Sequence, residues 1–490
     1  MESIDLIVFL AYLIFILLLS FFFYKKKRSA KSFILGQGNI PNWVISMSIF
    51  ATFVSSISYL ALPGSSFNSN WNPFVFSLSI PLASVMAIKF FVPIYRRMKS
   101  TSAYFYLEKR FGLWARIYAS LCYILTQIVR VGTILYLLAI SLNFILGWKI
   151  NMVIILTGVF VLIYSLLGGI TAVLWTDAIQ GIILIIGAIV CLILIHLKMP
   201  DGPSQIYDIA FNDDKFSLGS FSTSFTESTF WVVLIYGIFI NLQNYGVDQN
   251  YIQRYLISKS DKKAKTSALV GGLLYIPVSA FFLLIGTSLY AYFSIQGGLP
   301  DEYEIMTDKV FPFFIVNYIP VGVSGLLIAS IFAAGMSTIS TSFNSSSTIL
   351  LEDYYNRLFR KSKSEKNSMI FLYSSSLVIA ILSVCVALAM VNSKSVLDVW
   401  WKYASILSGG MLGLFLLGVF TKTDNRSGVV GLFSGIIIII FLTIYPIINQ
   451  TEEGLAHPYL TIVLGTMTIF LTGSIFQLIS YLNKKFHLNQ

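Results

Sequence analysis

Charge is scarce in this chain. Asp, Glu, Lys and Arg make up only 11% of its 490 residues, while 56% are hydrophobic. A soluble protein of that length cannot hide so much apolar surface, so ordinary soluble classes are excluded and a polytopic membrane protein is predicted. Cysteine and histidine are scarcer still, with three of each. Cys122, Cys191 and Cys385 fall in apolar runs without metal-ligand spacing and read as packed thiols, not disulfides. His196, His457 and His487 stand at segment ends, in a loop or in the tail. Without a Cys, His and carboxylate cluster there is no candidate metal centre or activated nucleophile. The sequence therefore predicts neither an enzyme nor an organic cofactor.

Apolar runs are abundant. Forty Phe and 27 Tyr suit a lipid-facing surface with aromatic belts at its edges. Thirteen apolar segments occupy roughly 4–24, 42–63, 73–95, 114–145, 150–167, 172–198, 227–250, 268–295, 311–348, 369–392, 397–420, 429–449 and 457–483. Most can cross about 30 Å of hydrocarbon at 1.5 Å per residue. The fold class expected is all-α, with 13 transmembrane helices in one membrane domain over 1–490 and no soluble appendage. The first run could pass for a signal peptide. But Glu2 and Asp5 precede it and KKKR (25–28) follows, the order of a retained helix with its N-terminus outside.

The net charge of +11 tests this topology. With the N-terminus outside, the inner loops hold 25 of the 33 Lys and Arg, among them KKKR (25–28), Arg96, Arg97, Arg116, Arg254, KSDKKAK (259–265) and RLFRKSKSEK (357–366). Six fall outside: Lys149, Lys198, Lys215, Lys309, Lys394 and Lys402. The positive-inside rule then puts the C-terminus in the cytoplasm of a cell-membrane protein, and accounts for the basic balance with no nucleic-acid partner. Lys89 and Arg130 remain inside spans. Lys89 can snorkel, but Arg130 sits near mid-span, where a charge costs about 2.5–3.5 kcal/mol, so it calls for a partner or an aqueous cavity. Asp177, in LWTDAIQG, is the clearest acid near a span, although it also suits a helix N-terminus. Asp248 and Asp398 are weaker signals.

Two segments break the apolar pattern: SMSIFATFVSSISYLALPG (46–64) and AAGMSTISTSFNSSST (333–348), where nine of sixteen residues are Ser or Thr. Ser337, Ser340 and Thr341 share a helix face, with Ala334 and Thr338 beside it. Ala51 and Val54 precede Ser55 and Ser56 in a stretch suited to unwinding. Small residues and back-bonded hydroxyls can serve packing alone. Hydroxyls and freed carbonyls also supply the neutral oxygens that a cation such as Na+ prefers, with Asp177 suited to a second ion.

FATFVSSISYLALPG, GGITAVLWTDAIQG (168–181), DQNYIQRY (248–255) and AAGMSTISTSFNSSST together resemble the sodium:solute symporter family, over about residues 5–480. STSAYFYLEKRF (100–111) and Arg130 in QIVRVG are similar to its bacterial sialic acid symporter branch. The resemblance implies a five-plus-five inverted-repeat, LeuT-like core over 42–420, with the first helix of each repeat broken. One extra helix (4–24) precedes this core and two (429–483) follow it. A first sodium site would use the carbonyls of Ala51, Val54 and Ala334 and the hydroxyls of Ser337 and Thr338. A second would use Asp177, Ser337, Ser340 and Thr341. The substrate pocket would hold Ser55, Ser58 and Asn241, with Arg130 pairing the sugar's carboxylate. Phe53 and Ser77 depart from the branch pattern, where a hydroxyl and an amide stand, and make the pocket more apolar. The implied function is sodium-coupled import, by a protein working as a monomer in the lipid bilayer, of a small anionic solute such as N-acetylneuraminate. The rivals are symport of another solute (a monocarboxylate, an amino acid or a neutral sugar) and a sensor or channel on the same scaffold.

Overall fold

The computed structural model describes residues 3–24, 29–36, 40–98, 100–299, 309–359, 364–391, 396–449 and 454–488. The basic run 25–28, Lys99, Arg360, Lys361, Lys363 and Lys394 lie outside them, as do the side chains of Asp398, Lys402, Lys484 and Lys485. Every regular element among the described residues is helical. Among these described residues, eleven helices are long and apolar enough to cross a membrane, or twelve when one bent pair is counted as a span.

Ser3–Tyr24 (α1) shows how the pattern works. Its buried residues, Asp5, Phe9, Tyr12, Ile16 and Ser20, recur every three or four positions and form one stripe. Ile7, Ile14, Leu18 and Phe22 stay exposed, an apolar outer face that suits lipid. Asp5 is more than a flanking charge. Its Oδ1 accepts from the Gly322 and Gly325 amides and the Ser324 hydroxyl, at 2.6, 3.1 and 2.6 Å.

After the short Ala30–Leu35 (α2) comes Asn42–Phe53 (α3), which ends abruptly. Val54 is extended (φ −75, ψ 124), and the chain resumes as a π-helical turn over Ile57–Ala61 and then Leu62–Asn68 (α4). The two halves meet at 60°. No Gly or Pro forces this break. Thr52, Val54, Ser55 and Ser56 are poor helix formers, and the freed carbonyls find side-chain partners elsewhere. Phe74–Leu78 (α5) and Ile80–Met86 (α6) run through another π turn into Val92–Arg97 (α7). Phe105–Phe111 (α8) precedes the long Leu113–Leu146 (α9).

Ile150–Leu197 (α10) runs for 48 residues, more than twice what a bilayer needs. Gly169 interrupts it in a left-handed conformation (φ 57) that disfavours any side chain; an added Cβ would also meet the Phe33 ring at 2.9 Å. The break falls between the segments 150–167 and 172–198, as expected. Ser204–Asn212 (α11) is a short connector. Phe230–Val247 (α12) ends at Asp248, whose φ −74 and ψ 124 repeat Val54 almost to the degree. Gln249–Ile257 (α13) follows, then Asp261–Leu273 (α14) and Tyr275–Ile295 (α15).

One segment differs from expectation. The run 311–348 is two helices, Val310–Tyr318 (α16) and Val323–Ile349 (α17), parted where Pro320 and Gly322 (φ 86) stop the first. α17 is the hub, with 25 of its 27 residues buried against α1, α9, α10 and Glu365–Ala389 (α18). Val396–Phe420 (α19), Asn425–Ile448 (α20) and Leu460–Leu488 (α21) complete the chain, the last two packed mainly on α19 and each other. Two charges expected in inner loops are buried instead: Arg116 is 4% exposed and Arg254 is fully enclosed. Lys215, expected in an outer loop, is also buried, with Nζ donating to the Phe67 carbonyl at 2.8 Å.

Candidate functional site

The hydroxyl-rich α17 faces the break after α3. Ser337 Oγ donates to the Ala51 carbonyl at 3.0 Å and to that of Ala334 at 3.1 Å. Thr338 Oγ1 lies 3.3 Å from the Val54 carbonyl and 3.4 Å from that of Ala334. All five residues expected at a first sodium site are thus brought together, fully buried, with five oxygens linked through one small cluster. Neutral oxygens at this density, two of them hydroxyls free to rotate, can turn lone pairs on a monovalent cation.

The other hydroxyls divide. Ser342 donates to Gln127 Oε1 and Ser345 to Gln253 Oε1, both at 2.8 Å, tying α17 to α9 and α13. Ser347 and Thr348 bond back to the Asn344 carbonyl of their own helix. The segment's hydroxyls thus split between a compact oxygen cluster and bonds that tie or brace helices.

A second cluster lies one turn further along α17. Thr341 Oγ1 donates to Asp177 Oδ2 at 3.2 Å, and Ser48 Oγ donates to the same atom at 2.7 Å. Ser340 Oγ donates to the Ser337 carbonyl at 3.1 Å. Ser48 and Arg254 are members that sequence reasoning missed; Arg254 pairs with Asp177 at 2.7 Å with both side chains fully enclosed.

Beside the first cluster opens a cleft. Phe53, Ser55, Ser58 and Arg130 line it, together with Gln127, Gln243, Asn244, Asp248, Tyr275 and Trp400. Arg130 Nη2 donates to the Thr52 carbonyl at 2.9 Å, and its guanidinium carbon is 6.0 Å from the centre of the Trp400 ring. The α3 break therefore serves two neighbours: its 51 and 54 carbonyls meet α17, and its 52 carbonyl holds Arg130. Phe53 stacks on Tyr245 at 5.6 Å and meets the edge of Tyr275 at 4.5 Å, giving the cleft an aromatic wall. Ser58 shares a 3.2 Å hydrogen bond with the Tyr275 hydroxyl.

Ser77 and Asn241 are not among the lining residues. Ser77 is buried on α5 next to the lining Phe76. Asn241 Nδ2 donates to Ser79 Oγ at 2.9 Å, joining α12 to the α5–α6 junction behind the wall. Asn244, one turn on, takes the lining position on α12. Asp248, a weak signal in the sequence, is both a cleft residue and the cap of α13, with Oδ1 accepting from the Asn250 amide at 2.7 Å. Its Oδ2 accepts from Gln127 Nε2 at 3.2 Å. The signal for it was there: Asp at a helix break beside Gly246 in NYGVDQN.

Residues 33–438 match the sodium:solute symporter family. The chain is 34% identical over 455 residues to the sodium/sialic acid symporter SiaT of Proteus mirabilis, covering 91% of this chain and 89% of that one. It is 30% identical over 471 residues to the sodium/sialic acid symporter NanT of Aliivibrio fischeri, covering 95% and 93%. It also superposes on a solved Na+-coupled sialic acid symporter, in a substrate-bound outward-open state, with a TM-score of 0.90 at 32% identity over 98% of both chains. With a match over most of its length and relatives this similar, the chain belongs to the sodium:solute symporter family of membrane transporters.

Proposed function

We propose that this protein imports a carboxylate-bearing solute, sialic acid first among them, by sodium-coupled alternating access. The observation that carries this reading is the shared break at residues 51–54. Sodium held by Ala51, Val54, Ala334, Ser337 and Thr338 would fix the carbonyl geometry of that break. The Thr52 carbonyl between them anchors Arg130, so ion binding would set the guanidinium that receives the carboxylate. A guanidinium fork suits a carboxylate bidentately. Ser55, Ser58, Gln127, Gln243 and Asn244 offer hydroxyls and amides to a polyol body, and the Phe53 wall offers an apolar face. Ser77 and Asn241 would act from behind that wall. The names of the two bacterial relatives and of the solved structure support the substrate class.

Asp177, Ser337, Ser340 and Thr341 would take a second sodium ion. Two ions with one monoanion move one net positive charge per cycle, so about 100 mV would contribute roughly 2.3 kcal/mol. Taking α10 as two arms about Gly169 and α3–α4 as one bent span gives thirteen spans, with the N-terminus outside and the C-terminus in the cytoplasm. The matched geometry of Val54 and Asp248 supports two repeats with broken first helices in a 42–420 core, in a chain acting as a monomer.

Ser337→Ala and Thr338→Ala test the ion site. Each removes one oxygen, and each is expected to raise the sodium needed for half-maximal uptake into proteoliposomes by about tenfold. Unaltered sodium activation in both would remove these hydroxyls from the ion's path.

A further inference from the structure

Arg254 is a buried cation of the second cluster, and the sodium reading above gives it no role. Its Nη2 donates to Asp177 Oδ2 and Thr341 Oγ1, each at 2.7 Å. Nε donates to Ser48 Oγ at 2.8 Å, and Nη1 to the Asn250 carbonyl at 2.6 Å. Oδ2 of Asp177 thereby accepts from Ser48, Thr341 and Arg254. Oδ1 of the same carboxylate is buried with no hydrogen-bond partner among the described residues. The acid is thus neutralised on one oxygen and left open on the other.

We propose that Arg254 is the built-in cation of the second ion site, and that it sets that site's sodium affinity by neutralising Asp177 before an ion arrives. The inference rests on the sodium-coupled reading above. With Arg254 in place, the cluster is neutral, and an ion on Oδ1 adds one positive charge to a fully enclosed space. Without it, the same ion meets a bare carboxylate and cancels its charge. Inside a protein that difference is large, because little solvent screens it. Arg254 therefore weakens the site and keeps the ion releasable. It is also a positioning residue: by holding Oδ2 together with Ser48 and Thr341, it turns Oδ1 toward the ion. Through α13 it links the site to the break at Asp248, which lines the substrate cleft.

The test is the thermal midpoint of the purified full-length protein, measured without substrate as sodium replaces potassium. A ligand that binds the folded state raises the midpoint according to its affinity. Arg254→Gln is expected to lower the midpoint in potassium, because a buried carboxylate loses its partner. Sodium should then restore it, with a larger rise than in wild type and a half-effect at a sodium concentration at least about tenfold lower. Adding Asp177→Asn to Arg254→Gln should abolish the enlarged response. A guanidinium that only braces the fold would lower the midpoint equally in both salts, and an unchanged sodium increment overturns the proposal. A wild type that responds to sodium beside an unaltered Arg254→Gln refutes this inference alone. Two proteins that both ignore sodium refute the coupled reading with it. If Arg254→Gln does not accumulate, Arg254→Met, an uncharged side chain of similar length, should lower the half-effect in the same direction; an unchanged value there overturns the proposal equally.

Discussion

Arg130→Ala is expected to weaken binding of the acidic substrate by at least about 100-fold while leaving sodium-induced stabilisation in place. Arg130 is 7% exposed and lies on α9 against the cleft, with Nη2 on the Thr52 carbonyl and the ring of Trp400 nearby. No ion pair to Arg130 is found among the described residues, although Asp248 lines the same cleft. A buried guanidinium without an ion-pair partner carries a desolvation cost that a substrate carboxylate would offset. Truncating one member of such a hydrogen-bonded charge pair costs about 2–5 kcal/mol, and 2.7 kcal/mol is about 100-fold. Arg130→Lys should recover only part of the loss, because an ammonium reaches one carboxylate oxygen where the fork reaches two. Isothermal titration of N-acetylneuraminate against each variant, beside thermal midpoints in sodium, separates substrate loss from misfolding. Normal substrate affinity in Arg130→Ala would remove the carboxylate assignment.

Arg116→Ala is expected to carry the largest penalty in stability. Arg116 Nη2 pairs with Asp353 at 2.5 Å and Nη1 with Glu108 at 2.6 Å; Arg357 then pairs with the other Glu108 oxygen at 2.6 Å. Ser102 adds a 2.9 Å hydrogen bond to Asp353, whose side chain is fully enclosed. The network binds α8, α9 and the end of the α17 run into one body. Deleting Arg116 leaves Asp353 buried with only a hydroxyl, a situation that costs about 3–5 kcal/mol. A fall in thermal midpoint of roughly 5 °C or more should follow, against a small change for Arg96→Ala, whose partner Asp261 is 64% exposed.

Acid should weaken the same network. Burial pushes the Glu108 carboxyl up, but the hydrogen bonds and charges of Arg357 and Arg116 outweigh it and hold it below its ordinary 4.5. A depressed acid contributes stability above its unfolded value and loses it as pH falls through the folded value. The midpoint should therefore drop below pH 4.5, and Glu108→Gln should flatten that drop. A Glu108→Gln protein with the wild-type acid profile would place the acid sensitivity elsewhere.

Much of this molecule was legible in its sequence because membrane helices announce themselves by length and hydropathy. The oxygen cluster on α17 was legible in part, since Ser337, Ser340 and Thr341 lie three and four apart on one face with Ala334 and Thr338 beside it. The resemblance then supplied Ala51 and Val54, whose carbonyls carry no side-chain signal. Gly169 between two apolar runs marked its break correctly. Pro320 and Gly322 marked another just as clearly, inside what reads as a single run. Asn241 and Ser77 were named by position, and neither lines the cleft. One step along a helix turns a side chain by about 100°, so Phe76 reaches the cleft where Ser77 does not, and on α12 Gln243 and Asn244 line it where Asn241 does not. Arg254 was illegible for another reason. DQNYIQRY reads as a polar stretch leading into a basic loop, and its true partner, Asp177, lies 77 residues away. Charge counting assigns such an arginine to a loop; only tertiary pairing buries it.

Coupling is the central claim, and one measurement reaches it directly. Purified protein is titrated with N-acetylneuraminate by calorimetry, first in sodium buffer and then in potassium. Saturable binding in sodium that vanishes in potassium is the predicted result, because the break at residues 51–54 would orient Arg130 only when the ion fixes its carbonyls. Equal binding in both buffers would contradict the account, since substrate recognition would then owe nothing to the ion.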